Sequence, residues 1–526
     1  MTVPGLVPKP TTIHHRAGTT TVPEVISVCA DLPLTRWSTR ALEDWLGAPV
    51  RAVPAGTPAW FRVARSDDLP EGAYRLLVDD AVVLTASSAA GVINALHTLR
   101  QLAGPEAFAP APMPRAEPLR LASVLVEDEP RFAFRGVHLD VARHFVPKAE
   151  LLRFIDNAAA HKLNAVHLHL TDDQGWRIEI PAFGRLTSTG GWRADTTIAS
   201  GPAGPRLKGR PHGGFYTAND LREIVAFARE RGVVVIPEID VPGHSVAAIA
   251  AYPRLGVDAP TVDVWTGWGV HDCILDPSDF TLNFYRQVLD TVMDIFDAPV
   301  IHLGGDEVPY DRWEGSATVR RRAADLGFDS VEPLHGWFLG RLVEHIAARG
   351  RRAGVWHEAV SPSLPTTAVV NAWGGTDTVS HCLRAGYDTT ISCCSHLYLD
   401  YRENDAPEEP SACGPVLSTQ KLYEFDALPP AVLAAAADGG ARVTGIQAQI
   451  WTEYLDTEEI RDYHSYPRLS AFAELAWSTE RSYPDFLGRL RGDHLDRLAA
   501  AGIGYRPLQG PLPWQQRPDV RAICGR

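Results

Sequence analysis

The stretch from Gly136 to Leu170, GVHLDVARHFVPKAELLRFIDNAAAHKLNAVHLHL, decides the fold class. Its two short apolar runs, Gly136–Asp140 and Ala165–Leu170, predict strands. Between them, Leu151–His161 places leucine, isoleucine and alanine on one face at helical spacing. A strand, a helix and a second strand form the repeating unit of parallel α/β folds.

The same alternation continues to about residue 450. Six further apolar runs predict strands, most of them separated by helical segments: Val233–Ile239, Val300–Leu303, Arg352–Trp356, Ala368–Ala372, Thr389–Cys393 and Val443–Ile450. Eight such units predict an α/β fold with a (β/α)8 TIM barrel over residues 129–480. An open doubly wound sheet is the alternative, but no glycine-rich phosphate loop follows the first strand.

The segments outside the barrel predict two smaller units. Residues 1–128 predict a small α+β domain, with strands at Tyr74–Val78 and Ala81–Thr85 and a helix from Ser88 to Leu102. The stretch from Gly104 to Pro118 is rich in proline and alanine and predicts a linker. Residues 481–526 are expected to form a C-terminal helix and tail packed on the barrel.

Composition excludes several classes of function. The 526 residues carry a formal net charge of -14 and no run of lysine and arginine, so nucleic acid is not expected as a partner. No window of about 18 apolar residues predicts a membrane span. The N-terminus lacks a basic region followed by an apolar stretch, so we expect a cytoplasmic protein. The seven scattered cysteines predict neither a disulfide framework nor a zinc site.

Acidic residues, histidines and tryptophans follow nearly every predicted barrel strand. Barrel enzymes place their active sites at these C-terminal strand ends. Acids combined with tryptophans suggest sugar chemistry, since indole faces stack on sugar rings and glycosidases use pairs of carboxyl groups. The strand ends that carry such residues include Asp140–His144, His167–Trp176, Glu238–His244, His302–Glu307, Trp356–Glu358, Asn371–Trp373, Tyr398–Asp400 and Gln449–Glu453.

A metal site is the weaker interpretation of the histidines. His167 and His169 share one face of a strand because side chains alternate. No third ligand follows at a metal-binding spacing. We therefore expect both rings to be packed and hydrogen-bonded inside the barrel, and we expect neither a metal nor a cofactor.

The adjacent acids Asp306 and Glu307 pose a geometric problem. Neighbours on a regular strand point to opposite faces, so they cannot easily flank one glycosidic bond as acid and nucleophile. The problem disappears if the substrate carries its own nucleophile, a 2-acetamido group. One acid can then protonate the leaving oxygen while the other orients the acetamide, provided that the strand end is distorted.

Several motifs together resemble family 20 glycoside hydrolases, the β-N-acetylhexosaminidases. They are FRGVHLDVARHF and HLHLTDDQGW between Phe134 and Trp176, Pro-Gly-His at 242–244, HLGGDE at 302–307 and WTE at 451–453. The resemblance covers roughly residues 130–480, and the N-terminal unit is similar to the small domain that precedes the barrel in that family. It implies an exo-acting enzyme that removes terminal N-acetylhexosamine from an oligosaccharide or glycoconjugate by substrate-assisted hydrolysis with retention, a mechanism known for this family.

The resemblance also implies a role for each catalytic residue. Glu307 corresponds to the general acid/base, which requires a pKa above that of an ordinary glutamate. Asp306 corresponds to the residue that binds the acetamide nitrogen and stabilises an oxazolinium intermediate. Asp172 and His244 correspond to a buried pair directed towards the acid.

The remaining site residues would bind the terminal sugar. Arg143 and Glu453 correspond to ligands of its hydroxyl groups, and Trp356, Trp373 and Trp451 to walls around the acetamide and the ring. Tyr398 corresponds to the hydroxyl that binds the acetamide oxygen, and Asp400 to a nearby subsite residue.

The sequence departs from the family at the leaving-group side. Relatives often carry a tryptophan platform where this chain, between Tyr401 and Tyr423, has none. Two alternatives therefore stay open: a hydrolase that releases a disaccharide or a modified hexosamine, and a sugar-binding barrel without turnover. The sequence does not distinguish glucosamine from galactosamine configuration and does not indicate an oligomeric state.

Overall fold

The structure, a computed structural model, describes residues 3–112, 115, 117–201 and 204–522. The predicted linker from Gly104 to Pro118 lies partly outside the described residues, as does Cys524. Within that linker, Pro105–Phe108 forms a 3-10 turn.

Eight parallel strands close into a barrel, which confirms the predicted fold class. The last strand in sequence pairs with the first, Gln447 opposite Gly136, so no open edge remains between them. That closure excludes the open doubly wound sheet. The barrel strands, numbered one to eight below, are Phe134–Asp140, Ala165–His169, Val234–Glu238, Val300–His302, Arg352–Trp356, Val369–Ala372, Asp388–Ile391 and Val443–Ile450.

Helices cover the outside of the barrel with their apolar faces inward. In Lys148–Ala160 the buried residues include Leu151 and Ile155, one turn apart. The helix Ala218–Glu230 begins with a capping box between Thr217 and Asp220. The other helices between strand one and residue 480 are Arg185–Ser188, Val246–Ala251, Asp279–Ile295, Asp311–Gly315, Ala317–Asp325, Pro333–Ala348, Thr376–Arg384, Cys394–Leu397, Thr419–Tyr423, Pro430–Gly439, Glu458–Ser465 and Arg468–Trp477.

A seven-stranded mixed sheet precedes the barrel and confirms the predicted small α+β domain. Two helices, Arg36–Leu46 and Ala89–Leu102, accompany this sheet. In spatial order its strands are Thr12–Thr21, Arg120–Asp128, Tyr74–Val78, Val82–Ala86, Phe61–Arg65, Ile26–Ala30 and Val50–Ala52.

A buried ion pair joins this sheet to the barrel. Lys162, in the turn before strand two, places its Nζ 2.7 Å from Asp128 Oδ2 at the end of a sheet strand. The same carboxylate accepts hydrogen bonds from the Tyr74 hydroxyl and from Trp477 Nε1. Because all four groups are buried, the contact fixes the domain against the barrel.

Beyond the barrel lie helical segments at Tyr483–Arg489, Leu490–His494 and Leu495–Ala500, and the tail that follows has no regular structure over its described residues, 501–522. In the described part of the chain, no helix combines the length and the apolar character needed to cross a membrane.

Candidate active site

The segment after strand four leaves the strand geometry before it reaches the two adjacent acids. Strand four ends at His302, and Gly304 and Gly305 follow with φ values of 65° and 89°. Glu307 is itself left-handed, with φ of 51°, which is uncommon for a residue with a side chain. Neither Asp306 nor Glu307 therefore belongs to a regular strand. This is the distorted strand end that a division of roles between the two adjacent acids requires.

Asp306 lies on the floor of the site. It is 8% exposed, and its Oδ1 has no hydrogen-bond partner among the described residues. Its Oδ2 lies 3.9 Å from Nε2 of His244. Burial, assisted by the charges of Glu358 and Glu307, raises the pKa of Asp306 to about 7 against the opposing charge of His244. The unpartnered oxygen is a hydrogen-bond acceptor available to a ligand.

Glu307 is more open than Asp306, with 45% of its side chain exposed and its Oε2 3.5 Å from His244 Nε2. Interaction with His244 lowers the pKa of Glu307, and partial burial opposes that shift only in part. The prediction of a raised pKa is therefore wrong for this state of the site. The physical reason is the cationic ring beside the carboxylate, which favours the charged form.

His244 connects these acids to the barrel interior. Its Nδ1 lies 3.3 Å from Asp172 Oδ1 and 3.6 Å from Asp173 Oδ2, and the ring is almost fully buried. Burial alone would lower the pKa of His244, but Asp172 and the other carboxylates raise it well above its usual value. The structure thus brings together Asp172, His244, Asp306 and Glu307, the four predicted catalytic residues.

Arg143 lies beside this group and is held in place by three polar side chains. Its Nη2 lies 2.8 Å from Asp172, its Nη1 3.3 Å from Asp140 and its Nε 3.2 Å from Gln174. The guanidinium also lies over the ring of Trp451, 4.9 Å from its centroid. An arginine fixed in this way presents its remaining N–H groups in a defined direction.

These groups open into a cavity of about 560 Å³ at the C-terminal ends of the strands. Eight of the eleven predicted site residues line it: Arg143, Asp306, Glu307, Trp373, Tyr398, Asp400, Trp451 and Glu453. Asp172 and His244 lie behind the lining, in contact with it. This volume lies within the usual range for a small-molecule binding site.

Trp356 does not lie where the resemblance implied. It is 0% exposed and its Nε1 donates a hydrogen bond of 2.8 Å to Glu238 Oε1. Its ring packs against those of His167 and His302. Trp356 therefore lies beneath the cavity, because the buried Glu238 carboxylate holds the indole N–H inward, and its predicted place in the wall is corrected.

The other predicted binding residues surround the cavity. Trp373 donates through Nε1 to Glu358, at 3.0 Å, which orients its ring. Burial raises the pKa of Tyr398, so its hydroxyl keeps its proton. Burial, together with the charge of Glu453, likewise raises the pKa of Asp400.

Sequence reasoning missed several lining residues. Trp268 and Val270 come from the long loop between Leu255 and Asp279 and reach the cavity beside Tyr454. Two tryptophans within the segment WTGWG, at 265–269, were the available signal. Gln174 and Glu358, which contact the predicted site residues Arg143 and Trp373, were visible only as polar residues near strand ends.

The barrel floor holds several groups of histidines and carboxylates close enough to suggest metal coordination, among them His167, Glu238 and His302. In this group, contacts with histidine rings occupy both carboxylate oxygens of Glu238. His169 Nδ1 lies 2.7 Å from Glu238 Oε2, and His302 Nδ1 lies 3.1 Å from Oε1. His167 and His169 are buried inside the barrel, as expected. The expected lack of a metal and of a cofactor stays a prediction.

Comparison with known families agrees with the geometry. Residues 132–480 match the glycosyl hydrolase family 20 catalytic domain, and residues 3–129 match domain 2 of the same family.

Two curated relatives are beta-hexosaminidases. The protein of Porphyromonas gingivalis is 34% identical over 88% of this chain and 58% of its own length. That of Vibrio furnissii is 36% identical over 77% of this chain and 65% of its own length. The chain thus spans less than two thirds of each of these two relatives.

Among solved structures, an exo-β-N-acetylglucosaminidase from Vibrio harveyi in complex with N-acetylglucosamine superposes with a TM-score of 0.84 at 30% identity. The match covers 96% of this chain and 79% of that chain.

Proposed function

Because the chain belongs to glycosyl hydrolase family 20, we propose that it is an exo-acting β-N-acetylhexosaminidase. Its substrate is an oligosaccharide or glycoconjugate that ends in a non-reducing N-acetylglucosamine or N-acetylgalactosamine. The observation that carries the proposal is the pair on the distorted strand end: a buried Asp306 with an unpartnered oxygen beside an exposed Glu307. The beta-hexosaminidase relatives support the same substrate class.

In the proposed first step, the terminal sugar lies against Trp451 with its hydroxyl groups on Arg143 and Glu453. Its acetamide oxygen attacks the anomeric carbon, and Glu307 gives a proton to the leaving oxygen. Asp306 accepts a hydrogen bond from the acetamide N–H and stabilises the positive charge of the oxazolinium that forms. A buried carboxylate is suited to this task because electrostatic attraction is strong away from water.

In the second step, Glu307 removes a proton from a water molecule that opens the oxazolinium. Two inversions at the anomeric carbon give net retention of configuration. Exo action is part of this proposal: Arg143, held by Asp140 and Asp172, would bind the hydroxyl groups of the terminal sugar.

The proton distribution must change when substrate binds. Without substrate the pKa of Asp306 is raised to about 7 and that of Glu307 is lowered. A hydrogen bond from the acetamide N–H to Asp306 favours the charged form of that carboxyl group. A sugar that covers Glu307 removes water from its carboxylate, which raises the pKa of Glu307. Both effects move the proton towards Glu307, where the first step requires it.

A thiazoline that mimics the oxazolinium provides the sharpest test of the mechanism. The wild-type protein should hydrolyse 4-nitrophenyl N-acetyl-β-glucosaminide or the galactosaminide, and the thiazoline should inhibit it competitively. Hydrolysis without inhibition would contradict substrate assistance. Release of disaccharides alone, or binding without hydrolysis, would instead favour one of the two alternative functions.

The Glu307→Gln variant tests the acid assignment. Loss of a general acid should lower kcat for a poor leaving group on the order of 10²–10⁴-fold. Binding of the thiazoline should persist, because Asp306 is intact. Unchanged hydrolysis in this variant would show that Glu307 is not the acid.

A further inference from the structure

A continuous line of buried charged groups runs from the barrel floor to Glu307. His169 Nδ1 lies 2.7 Å from Glu238 Oε2, and its Nε2 lies 2.8 Å from Asp172 Oδ2. Asp172 Oδ1 faces His244 Nδ1 at 3.3 Å, and His244 Nε2 faces Glu307 Oε2 at 3.5 Å. Only Glu307, at the end of this line, is exposed.

Strand pairing places the first two members together. His169 ends strand two and Glu238 ends strand three, and the two residues are direct partners in the parallel register. Both are at most 1% exposed. The contact is therefore fixed by the barrel itself and does not depend on the mobility of a loop.

The position of His169 between two carboxylates determines its protonation state. Each ring nitrogen is within hydrogen-bond distance of a carboxylate oxygen, so both must carry a proton to donate. Burial alone would lower the pKa of His169, but Glu238 and Asp172 raise it well above its usual value. The two carboxylates thus favour the cationic form of the buried His169 ring.

Asp172 is the branch point of the line. Its Oδ2 accepts from both His169 Nε2 and Arg143 Nη2, each at 2.8 Å. Its Oδ1 accepts a hydrogen bond from the backbone N–H of Asp173 at 2.5 Å and also faces His244. Two cations on one oxygen hold the carboxylate in a single orientation, so His244 meets a charge of fixed position.

We propose that His169, anchored by Glu238, is a positioning residue that holds Asp172 against His244 and thereby controls the proton of Glu307. This inference rests on the proposed function, since it concerns the acid of that reaction. His169 touches neither the cavity nor the substrate and acts only through Asp172 and His244.

Other charged and titratable groups face the two histidines. His169 is also near His138 and Asp140, and its charge acts to lower the pKa of Glu238 and of Asp240.

His244 faces Asp172, Asp173, Asp306 and Glu307, with Asp240 close by. Removing one positive charge from this mostly acidic group raises the pKa of the carboxylates around it.

The test compares two N-acetyl-β-glucosaminides in the His169→Gln variant. Hydrolysis of a methyl glycoside needs the general acid, whereas the leaving group of a 2,4-dinitrophenyl glycoside departs without much protonation. We expect kcat for the methyl glycoside to fall on the order of tenfold or more, with a loss below about twofold for the dinitrophenyl glycoside. The basic limb of kcat/KM for the methyl glycoside should move to higher pH by about half a unit.

His167→Gln is the matched control. His167 lies on the same strand and its Nε2 is 3.2 Å from Glu238, but it has no contact with Asp172. Any loss of activity in this variant should be equal for the two glycosides, with an unchanged pH profile.

Equal losses for both glycosides in His169→Gln, with an unshifted pH profile, would overturn the proposal and leave His169 a structural residue. If that variant does not fold, Glu238→Gln serves in its place, since it keeps the shape and removes the anchoring charge. It should show the same preference for the dinitrophenyl glycoside, and equal losses there would also overturn the proposal. Inactivity of the wild-type protein on both glycosides would instead refute the proposed function.

Discussion

The carboxylate of Asp240 fills the space beside Gly304 in which a side chain would lie. A β-carbon built at Gly304 would be 1.8 Å from Asp240 Oδ1, and the same oxygen accepts a hydrogen bond from the backbone N–H of Gly305. Asp240 follows strand three and Gly304 follows strand four, so this contact joins two neighbouring strand ends. It fixes the path of the chain immediately before Asp306 and Glu307.

Gly304→Ala should therefore displace Asp306 and Glu307, the proposed catalytic pair. The new methyl group cannot coexist with Asp240, and the φ of 65° is itself unfavourable for alanine by about 1 kcal/mol. We expect kcat/KM to fall on the order of 100-fold or more, because small misplacements of catalytic groups are costly. Steady-state kinetics and the melting temperature measure the two effects.

Gly315→Ala is the control for this substitution. It lies in the short helix Asp311–Gly315, where a β-carbon would meet nothing within 4 Å. Its activity should match that of the wild type. Normal kinetics in Gly304→Ala would show that the loop tolerates a shift and that the contact with Asp240 is not essential.

The pH dependence of kcat/KM should have a basic limb near pH 7. At pH values between the lowered pKa of Glu307 and the pKa of about 7 of Asp306, these two carboxyl groups together hold one proton. Below that value one proton is available to the acid; above it the pair loses this proton, so activity falls as pH rises. The apparent values belong to the pair and not to either residue.

Measurement of kcat/KM for the methyl glycoside over about pH 4–9 checks this expectation. A 2,4-dinitrophenyl glycoside serves as the control substrate, because its weaker need for an acid should flatten the basic limb. A methyl glycoside profile that stays constant far into the alkaline range would contradict the assignment of a raised pKa to Asp306.

Arg143→Lys should impair both binding and catalysis. A lysine cannot reproduce the planar contacts with Asp140, Asp172 and Gln174. We expect KM to rise about tenfold through lost hydroxyl contacts and kcat to fall as well, since Asp172 loses the guanidinium contact that helps to fix its orientation. Steady-state kinetics separate the two parameters.

Arg75→Lys is a suitable control, because Arg75 forms an exposed ion pair with Glu127 on the N-terminal sheet. That variant should leave KM and kcat unchanged. If Arg143→Lys raised KM without any change in kcat, the link from Arg143 through Asp172 to the acid would be refuted.

Asp128→Asn should lower the free energy of unfolding by about 3–5 kcal/mol, the usual effect of breaking a buried ion pair. The change leaves the buried Lys162 ammonium without a counter-charge and weakens the hydrogen bonds from Tyr74 and Trp477. Urea unfolding followed by tryptophan fluorescence measures the loss.

Asp67→Asn gives the matched comparison for an exposed pair. Asp67 lies 2.9 Å from Arg65 with 79% of its side chain exposed, so its loss should cost less than about 1 kcal/mol. Equal destabilisation in the two variants would contradict the role of Asp128 as a contact between the domain and the barrel.

Much of the fold was predictable because its signals are local. All eight barrel strands lie where apolar runs predicted them, and Gly232 has the left-handed φ of 70° expected just after a helix. The positions of Asp306 and Glu307 were also predictable, since HLGGDE begins at the last residue of strand four.

The less predictable features depend on contacts between distant segments. The buried position of Trp356 follows from its bond to Glu238, which is 118 residues away. The lowered pKa of Glu307 follows from His244, which belongs to another strand end. Trp268 reaches the cavity from a long loop whose path no local pattern specifies. The expected cytoplasmic location stays a prediction.

The sequence alone determined the barrel, the small domain before it and the place of the adjacent acids Asp306 and Glu307, because hydrophobic periodicity and strand-end motifs act over a few residues. The tertiary structure decided how the charges of that pair are distributed. A pKa depends on burial and on charges brought within a few ångströms, and only the closed barrel brings His169, Asp172 and His244 into line with Glu307.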